Sequence, residues 1–169
     1  MNSSPPRRLR FVKVDFAPSC GCLGSLVALV SDFCRSVVDD ADIIFAFRMA
    51  AFELTENMVK YGCGERATLE ISVNNATESP ELVLTAINQA SAERIKDVHE
   101  RLLAAEDAED PVAHFDKLVR DTLNSPSESR LGLGRLRAEA DLVLSHTITG
   151  NTASICVKHR IFKAGTGDN

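Results

Sequence analysis

The sequence predicts an α+β domain, and two observations support this prediction. Helical and extended patterns follow one another in the order β-α-α-β-β, then a helical insertion, then α-β-β. Turn-rich links separate two pairs of neighbouring strands, so most of the sheet is expected to be antiparallel. A chain of 169 residues, 44% of them hydrophobic, is long enough to bury the core of one globular domain.

The predicted domain spans residues 10–162, between a disordered tail at 1–9 and a second tail at 163–169. It begins with a strand over 10–16, where apolar and polar residues alternate. The next segment, 23–38, has apolar residues at helical spacing and is predicted to be an amphipathic helix.

A second, largely apolar helix is predicted from about Asp42 to Tyr61, because aspartates before it offer N-caps and Gly62 can end it. Strict alternation then predicts a half-buried strand over 67–73. The following segment, 81–87, is apolar on both faces, which suits a more central strand.

Residues 91–130 are predicted to form a lid-like insertion of two amphipathic helices that are separated by an acidic stretch. The glycine-rich segment 130–140 is expected to lead from a loop into a further helix. Two alternating segments, 142–149 and 152–162, complete the sheet as a hairpin with Gly150-Asn151 at its turn.

Charge and hydropathy exclude two classes of partner. The chain carries 19 basic against 24 acidic residues, whereas a nucleic-acid-binding domain usually shows a basic excess. The basic cluster Arg7-Arg8-Leu9-Arg10 is interpreted as a solvated flank. No apolar run approaches the ~20 residues of a membrane span, and the start MNSSPPRRLR lacks the apolar core of a signal peptide. A cytoplasmic protein without direct nucleic-acid or membrane contact is expected.

The thiols and imidazoles give little support to a metal site. The five cysteines are odd in number and show no paired spacing, which favours reduced, buried or incidental thiols over disulfides. Cys20-Gly-Cys22 leaves a metal site open as a weaker alternative. The four histidines are scattered and are interpreted as surface or packing residues: His99, His114, His146 and His159.

One polar stripe in the second helix suggests a site. Within FELTENMVKYG (52–62), Glu53, Asn57 and Lys60 are four and three residues apart, so their side chains align along one side of a helix. The stripe borders the apolar face, where a cleft can lie. A solvated helix face is the alternative interpretation of the same spacing.

Two motifs resemble those of the GHKL ATPase superfamily, which includes gyrase and the sensor histidine kinases. FELTENMVKYG resembles the N-box, and RLGLGRLRAEA (130–140) resembles the late glycine box. The small size is similar to that of the anti-sigma-factor serine kinases and of SiaB-type regulators. The resemblance covers residues 10–162. It implies a Bergerat fold: a two-layer sandwich with a mixed, mostly antiparallel sheet covered on one face by helices.

The resemblance also implies residue roles. Asn57 matches the N-box asparagine that binds Mg²⁺ and, through it, the nucleotide phosphates. Glu53 matches the carboxylate that orients or deprotonates the attacking hydroxyl. Lys60, one turn further along, is placed near phosphate charge, although a surface lysine is the favoured interpretation. The Gly132-Leu133-Gly134 segment would bring backbone N–H groups and a helix N-terminus to the phosphates.

One segment departs from the family pattern. Where the family has Asp-x-Gly-x-Gly after the central strand, this chain has Asn88-Gln89-Ala90. The Asn88 carbonyl oxygen can accept the hydrogen bond of the adenine amino group, but it is neutral and both glycines are missing. The glycine-rich segment fits neither a Rossmann fingerprint nor a Walker P-loop.

Two functions are therefore expected as alternatives. The first is a regulatory serine/threonine protein kinase that uses ATP and Mg²⁺ to phosphorylate a small STAS-type, anti-anti-sigma partner. A sigma factor as second partner and a homodimer are compatible with this interpretation. The second is a degenerate member of the same fold that acts as a protein-protein switch without ATP turnover.

Overall fold

The structure, a computed structural model, describes residues 10–74, 80–124 and 131–161. The predicted tails at 1–9 and 163–169 lie outside the described residues. The described elements, in chain order, are β1 Arg10–Phe16, α1 Leu23–Val37, α2 Ala41–Tyr61, β2 Ala67–Asn74, β3 Glu81–Gln89, α3 Ala92–Glu106, α4 Pro111–Asn124, α5 Leu131–Ala140, β4 Val143–Thr149 and β5 Thr152–Arg160. A short 3₁₀ turn, Cys20–Cys22, precedes α1.

The five strands form one sheet in the order β1-β2-β3-β5-β4, which confirms the predicted α+β class. All four pairings between described strands are antiparallel, so the sheet is less mixed than predicted. The last hairpin explains why no parallel pairing forms between the described strands. β4 runs in the same direction as β3, but β5 folds back between them and prevents a parallel pairing. Gly150 takes a φ of 57° at the hairpin turn, a left-handed conformation that glycine adopts without strain.

The helices cover one face of the sheet and make it a two-layer sandwich. In β2, alternate residues from Ala67 to Val73 are buried, while their neighbours on the other face are half-exposed. The core between the layers contains Phe47, Leu54 and Met58 of α2 packed with buried residues of β3 such as Leu82 and Leu84. Because one face of each strand is buried, the strand register is fixed by its apolar residues.

The ends of α2 are capped as its sequence predicts. The Asp40 carboxylate accepts hydrogen bonds from the backbone N–H groups of Asp42 at 2.9 Å and Ile43 at 3.1 Å. At the other end, the Gly62 N–H donates to the carbonyl oxygen of Met58 at 3.0 Å. This fixed helix carries the predicted N-box residues.

The glycine-rich segment differs from its prediction. It was expected to be a loop that leads into a helix, but α5 already begins at Leu131 and includes both Gly132 and Gly134. The two glycines serve close packing. A Cβ atom at Gly132 would overlap the Glu53 carboxylate of α2, and one at Gly134 would lie 2.8 Å from Leu118 Cδ1 of α4. The absence of side chains lets α5 approach two neighbouring helices.

Candidate functional site

Several of the predicted site residues line a small cavity next to α3, here called the candidate cavity. It lies between α2, β3, β5, α3 and α5 and has a volume of about 40 Å³. Most of its lining is aliphatic. The polar and charged side chains that line it are Asn57, Tyr61, Asn88 and Arg101.

Four of the seven predicted site residues line this cavity together. Asn57 reaches it from α2, Asn88 from β3, and Gly132 and Leu133 from the first turn of α5. Asn57, Asn88 and the pair Gly132-Leu133 are 31 to 76 residues apart in the chain. The pairing of β2 with β3, which sets Asn88 opposite Ala67, holds Asn88 near the end of α2.

Glu53 lies one helical turn before Asn57 and contacts Gly132 at the start of α5. Its side chain is only 12% exposed, and its Oε1 lies 3.6 Å from the Arg135 guanidinium. Burial raises the pKa of the Glu53 carboxyl above its ordinary value, and the positive charge of Arg135 partly opposes this rise. A raised pKa makes the ionised carboxylate a better proton acceptor.

Lys60 and Gly134 lie elsewhere. The Lys60 ammonium pairs with Glu56 one turn earlier on α2, at 3.1 Å, and its side chain is 46% exposed. The hydrogen bond to Glu56 raises the pKa of Lys60. Gly134 faces Leu118 and Phe115 of α4. Neither residue lines the candidate cavity, so the structure gives Lys60 a surface partner and Gly134 a packing position.

The cavity holds much less than a nucleotide in this conformation. Pockets for small molecules usually measure ~300–1,000 Å³, against about 40 Å³ here. Ile95 and Val98 of α3 are among the side chains that line the cavity. The oxygen donors fit the predicted ligands, because an amide oxygen at Asn57 and a carboxylate at Glu53 suit Mg²⁺ and phosphate chemistry. Nucleotide binding would require this lining to open, and α3 belongs to the insertion that the sequence predicts to be lid-like.

Polar contacts in its middle and at its C-terminal end hold α3 in place. His99 Nδ1 of α3 lies 2.7 Å from His146 Nε2 of β4, and His146 Nδ1 lies 2.5 Å from the Glu106 carboxylate. The Arg137 guanidinium donates to the carbonyl oxygens of Ala105 and Glu106. The contact of His99 lies within the part of α3 that lines the cavity, and the others hold the end of the helix.

Sequence reasoning missed these contacts and Arg101. His99 and His146 were interpreted as separate surface or packing residues, but the fold brings them together across 47 positions. No local signal identifies such a pair. Arg101 did have a signal, since Asp97 stands four residues before it at the spacing of a helical ion pair.

The described residues offer no other ligand set. Among them, no group of three or more histidine, cysteine or acidic side chains is arranged to hold a metal ion. The cysteines that the structure describes in full are free thiols: Cys22, Cys34, Cys63 and Cys156. No helix in the described part of the chain is both long enough and apolar enough to cross a membrane.

The sequence matches no known protein family and no curated protein. Among solved structures, the fold is similar to that of a chain in the crystal structure of the SiaB-SiaC complex from Pseudomonas aeruginosa. The two chains are 16% identical, superpose with a TM-score of 0.63, and match over 89% of each. At this low identity the similarity concerns the fold alone. The chain shares its architecture with a chain that was crystallised in a complex of two proteins.

Proposed function

We propose that this chain is a regulatory protein kinase of the anti-sigma-factor type that uses Mg²⁺-bound ATP to phosphorylate a small protein partner. The observation that carries the proposal is the position of Glu53. This carboxylate is mostly buried, has a raised pKa and contacts the first turn of α5, next to the cavity that Asn57 and Asn88 line. Burial of an ionisable group beside a cavity is typical of a functional site.

Each residue would have a distinct role. Mg-ATP supplies the phosphoryl group and leaves as ADP. Glu53 accepts the proton of the partner's serine or threonine hydroxyl as its oxygen bonds to phosphorus. Asn57 provides a neutral oxygen ligand for Mg²⁺. Asn88 accepts a hydrogen bond from the adenine amino group through its side-chain oxygen, and the N-terminal turn of α5 favours the phosphate charge.

The nature of the partner is inferred from the fold. The structural neighbour is part of a complex of two proteins, and the strands of the described residues form a single sheet beside the candidate site. A separate protein substrate is therefore the natural acceptor. We infer a STAS-type, anti-anti-sigma partner in partner-switching signalling, with a sigma factor as a further partner.

The size of the cavity favours a second candidate function. Because the cavity is much smaller than a nucleotide needs, the chain could act as a binding module that switches between protein partners without ATP turnover. The Asn88-Gln89-Ala90 segment, which lacks the glycines of the family pattern, points the same way.

Calorimetric titration with ATP, with and without Mg²⁺, separates the two functions. The kinase proposal expects Mg²⁺-dependent binding that Asn57→Ala removes, whereas Glu56→Gln, on the same helix but outside the cavity, keeps it. Glu53→Gln should bind Mg-ATP and lose about 10²–10⁴-fold in phosphate transfer to a STAS-domain protein, the usual contribution of a general base. No binding to the wild-type chain at millimolar Mg-ATP would overturn the kinase proposal and favour the binding module.

A further inference from the structure

Arg101 has a position that the resemblance does not explain. It comes from α3, lines the candidate cavity opposite Asn57, and is the one charged side chain among the described residues that line it. Its side chain is 19% exposed. A cation that is mostly removed from water is costly unless an anion pairs with it.

Asp97 supplies that anion in this conformation. The Arg101 Nε atom donates to Asp97 Oδ1 at 3.0 Å, and a second guanidinium nitrogen donates to Oδ2. This two-point geometry is the same that a guanidinium uses to bind a phosphate group. Asp97 and Arg101 lie four residues apart on one helix, so the pair can separate without unfolding α3.

Arg101 lines two cavities, and the side chains around them differ in charge. It also lines a second cavity of about 210 Å³ between α3, α4 and α5, here called the α4 cavity. The α4 cavity is bordered by the carboxylates of Asp97 and Glu100, which disfavour an anion there. The candidate cavity has no carboxylate in its lining. The Asp97 carboxylate that pairs with Arg101 borders the α4 cavity and is absent from the lining of the candidate cavity. A phosphate that replaces Asp97 would be favoured on the side of Asn57 and the first turn of α5, where the lining carries no carboxylate.

We propose that Arg101 binds a phosphate group of the nucleotide. Without the nucleotide, Arg101 pairs with the Asp97 carboxylate, and the phosphate group replaces Asp97 when the nucleotide binds. This inference rests on the proposed function, because it assumes a nucleotide in the candidate cavity. It gives α3 a specific role: when α3 moves to admit the nucleotide, Arg101 exchanges an anion of its own helix for one on the ligand. The segment that closes the cavity then also selects for phosphorylated ligands.

The test uses two substitutions that break the same ion pair. Calorimetric titration with Mg-ATP is carried out on the wild-type chain, Arg101→Gln and Asp97→Asn. Arg101→Gln should weaken binding about 10- to 100-fold, because it removes a charge-assisted contact to phosphate. Asp97→Asn should instead tighten binding about two- to fivefold, since it removes the competing anion. Lys96→Gln, which removes an exposed cation from the same helix, should leave binding unchanged.

The outcomes separate this inference from the proposed function. If Arg101 and Asp97 served only to stabilise α3, both substitutions would loosen α3 and change Mg-ATP binding in the same direction, and that result would overturn the inference while the kinase proposal stands. Unchanged binding by Arg101→Gln would also overturn it. A wild-type chain that fails to bind millimolar Mg-ATP would overturn both. Thermal unfolding shows whether each variant is folded. Titration with adenosine, which has no phosphate, shows whether a loss of affinity is confined to ligands that carry phosphate.

Discussion

The two helices that border the candidate cavity are held in different ways. In α2, eight of 21 residues are buried, and the largest of them pack against the sheet. In α3, three of 15 residues are buried, and its C-terminal end is held by the contacts of His146 and Arg137. Apolar burial over a long helix fixes Glu53 and Asn57 relative to the sheet. α3 is held by less apolar burial together with polar contacts, and elements with few buried residues can open locally without global unfolding.

This difference assigns separate tasks to the two sides of the cavity. The α2 side carries the residues whose geometry the chemistry needs, and rigid support suits them. The α3 side carries Ile95, Val98 and Arg101, which line the cavity. Because the polar side chains of α2 are fixed, the site can admit a ligand through movement of α3 alone.

The largest effect on stability is expected from a substitution that shortens a buried side chain of α2. Leu54 is 1% exposed and packs in the main core, so Leu54→Ala should lower the free energy of unfolding by about 2–5 kcal/mol. Leu103→Ala, on α3, is the matched control, because Leu103 is 40% exposed and should lose less than about 1 kcal/mol. Chemical denaturation measures both. Equal losses would contradict the comparison between the two helices.

A smaller effect is expected where α5 contacts α2. Gly132→Ala places a methyl group against the Glu53 carboxylate and should destabilise the chain by about 1–3 kcal/mol. Gly24→Ala in α1 is the control, since nothing lies within 4 Å of the added methyl group. It should stabilise the chain by up to about 1 kcal/mol through helix propensity alone. Thermal unfolding distinguishes these opposite signs, and a stabilised Gly132→Ala variant would show that the end of the Glu53 side chain moves aside at little cost.

Several features of this site could be predicted from local patterns. The alternation of Ala67 to Val73 and the caps of α2 are local, and the structure confirms both. The polar stripe of α2 identified Asn57 as a cavity residue because helical spacing relates neighbouring side chains directly. The glycines of α5 were interpreted wrongly as a loop, since sequence alone does not show which helix a glycine approaches.

The contacts across α3 could not be predicted in the same way. The His99 and His146 rings meet only because β4 lies at the edge of the sheet next to α3. The volume of the cavity likewise depends on where α3 rests, which is a tertiary property. The sequence pattern therefore located residues of the candidate site and predicted the helical insertion that contains α3, but not the position in which α3 rests over the cavity.

The smallest effect concerns the pKa of Glu53. Burial raises this pKa and the Arg135 charge lowers it, so Arg135→Gln should raise the pKa further. A carboxylate acts as a base only when it is ionised, and its activity grows as the pH rises through its pKa. The acidic limb of the pH profile of phosphate transfer should therefore move to higher pH in this variant. NMR titration of the Glu53 carboxyl carbon measures the same shift without a partner protein.

Glu139→Gln gives the matched control for that shift. Glu139 is the other partner of Arg135, with 2.6 Å between Arg135 Nε and Glu139 Oε2. Its removal leaves the guanidinium free to approach Glu53, so the pKa of Glu53 should stay the same or fall. A rise in both variants would mean that the Arg135 charge does not reach Glu53. In that case burial against α5 alone would determine the protonation of the candidate base.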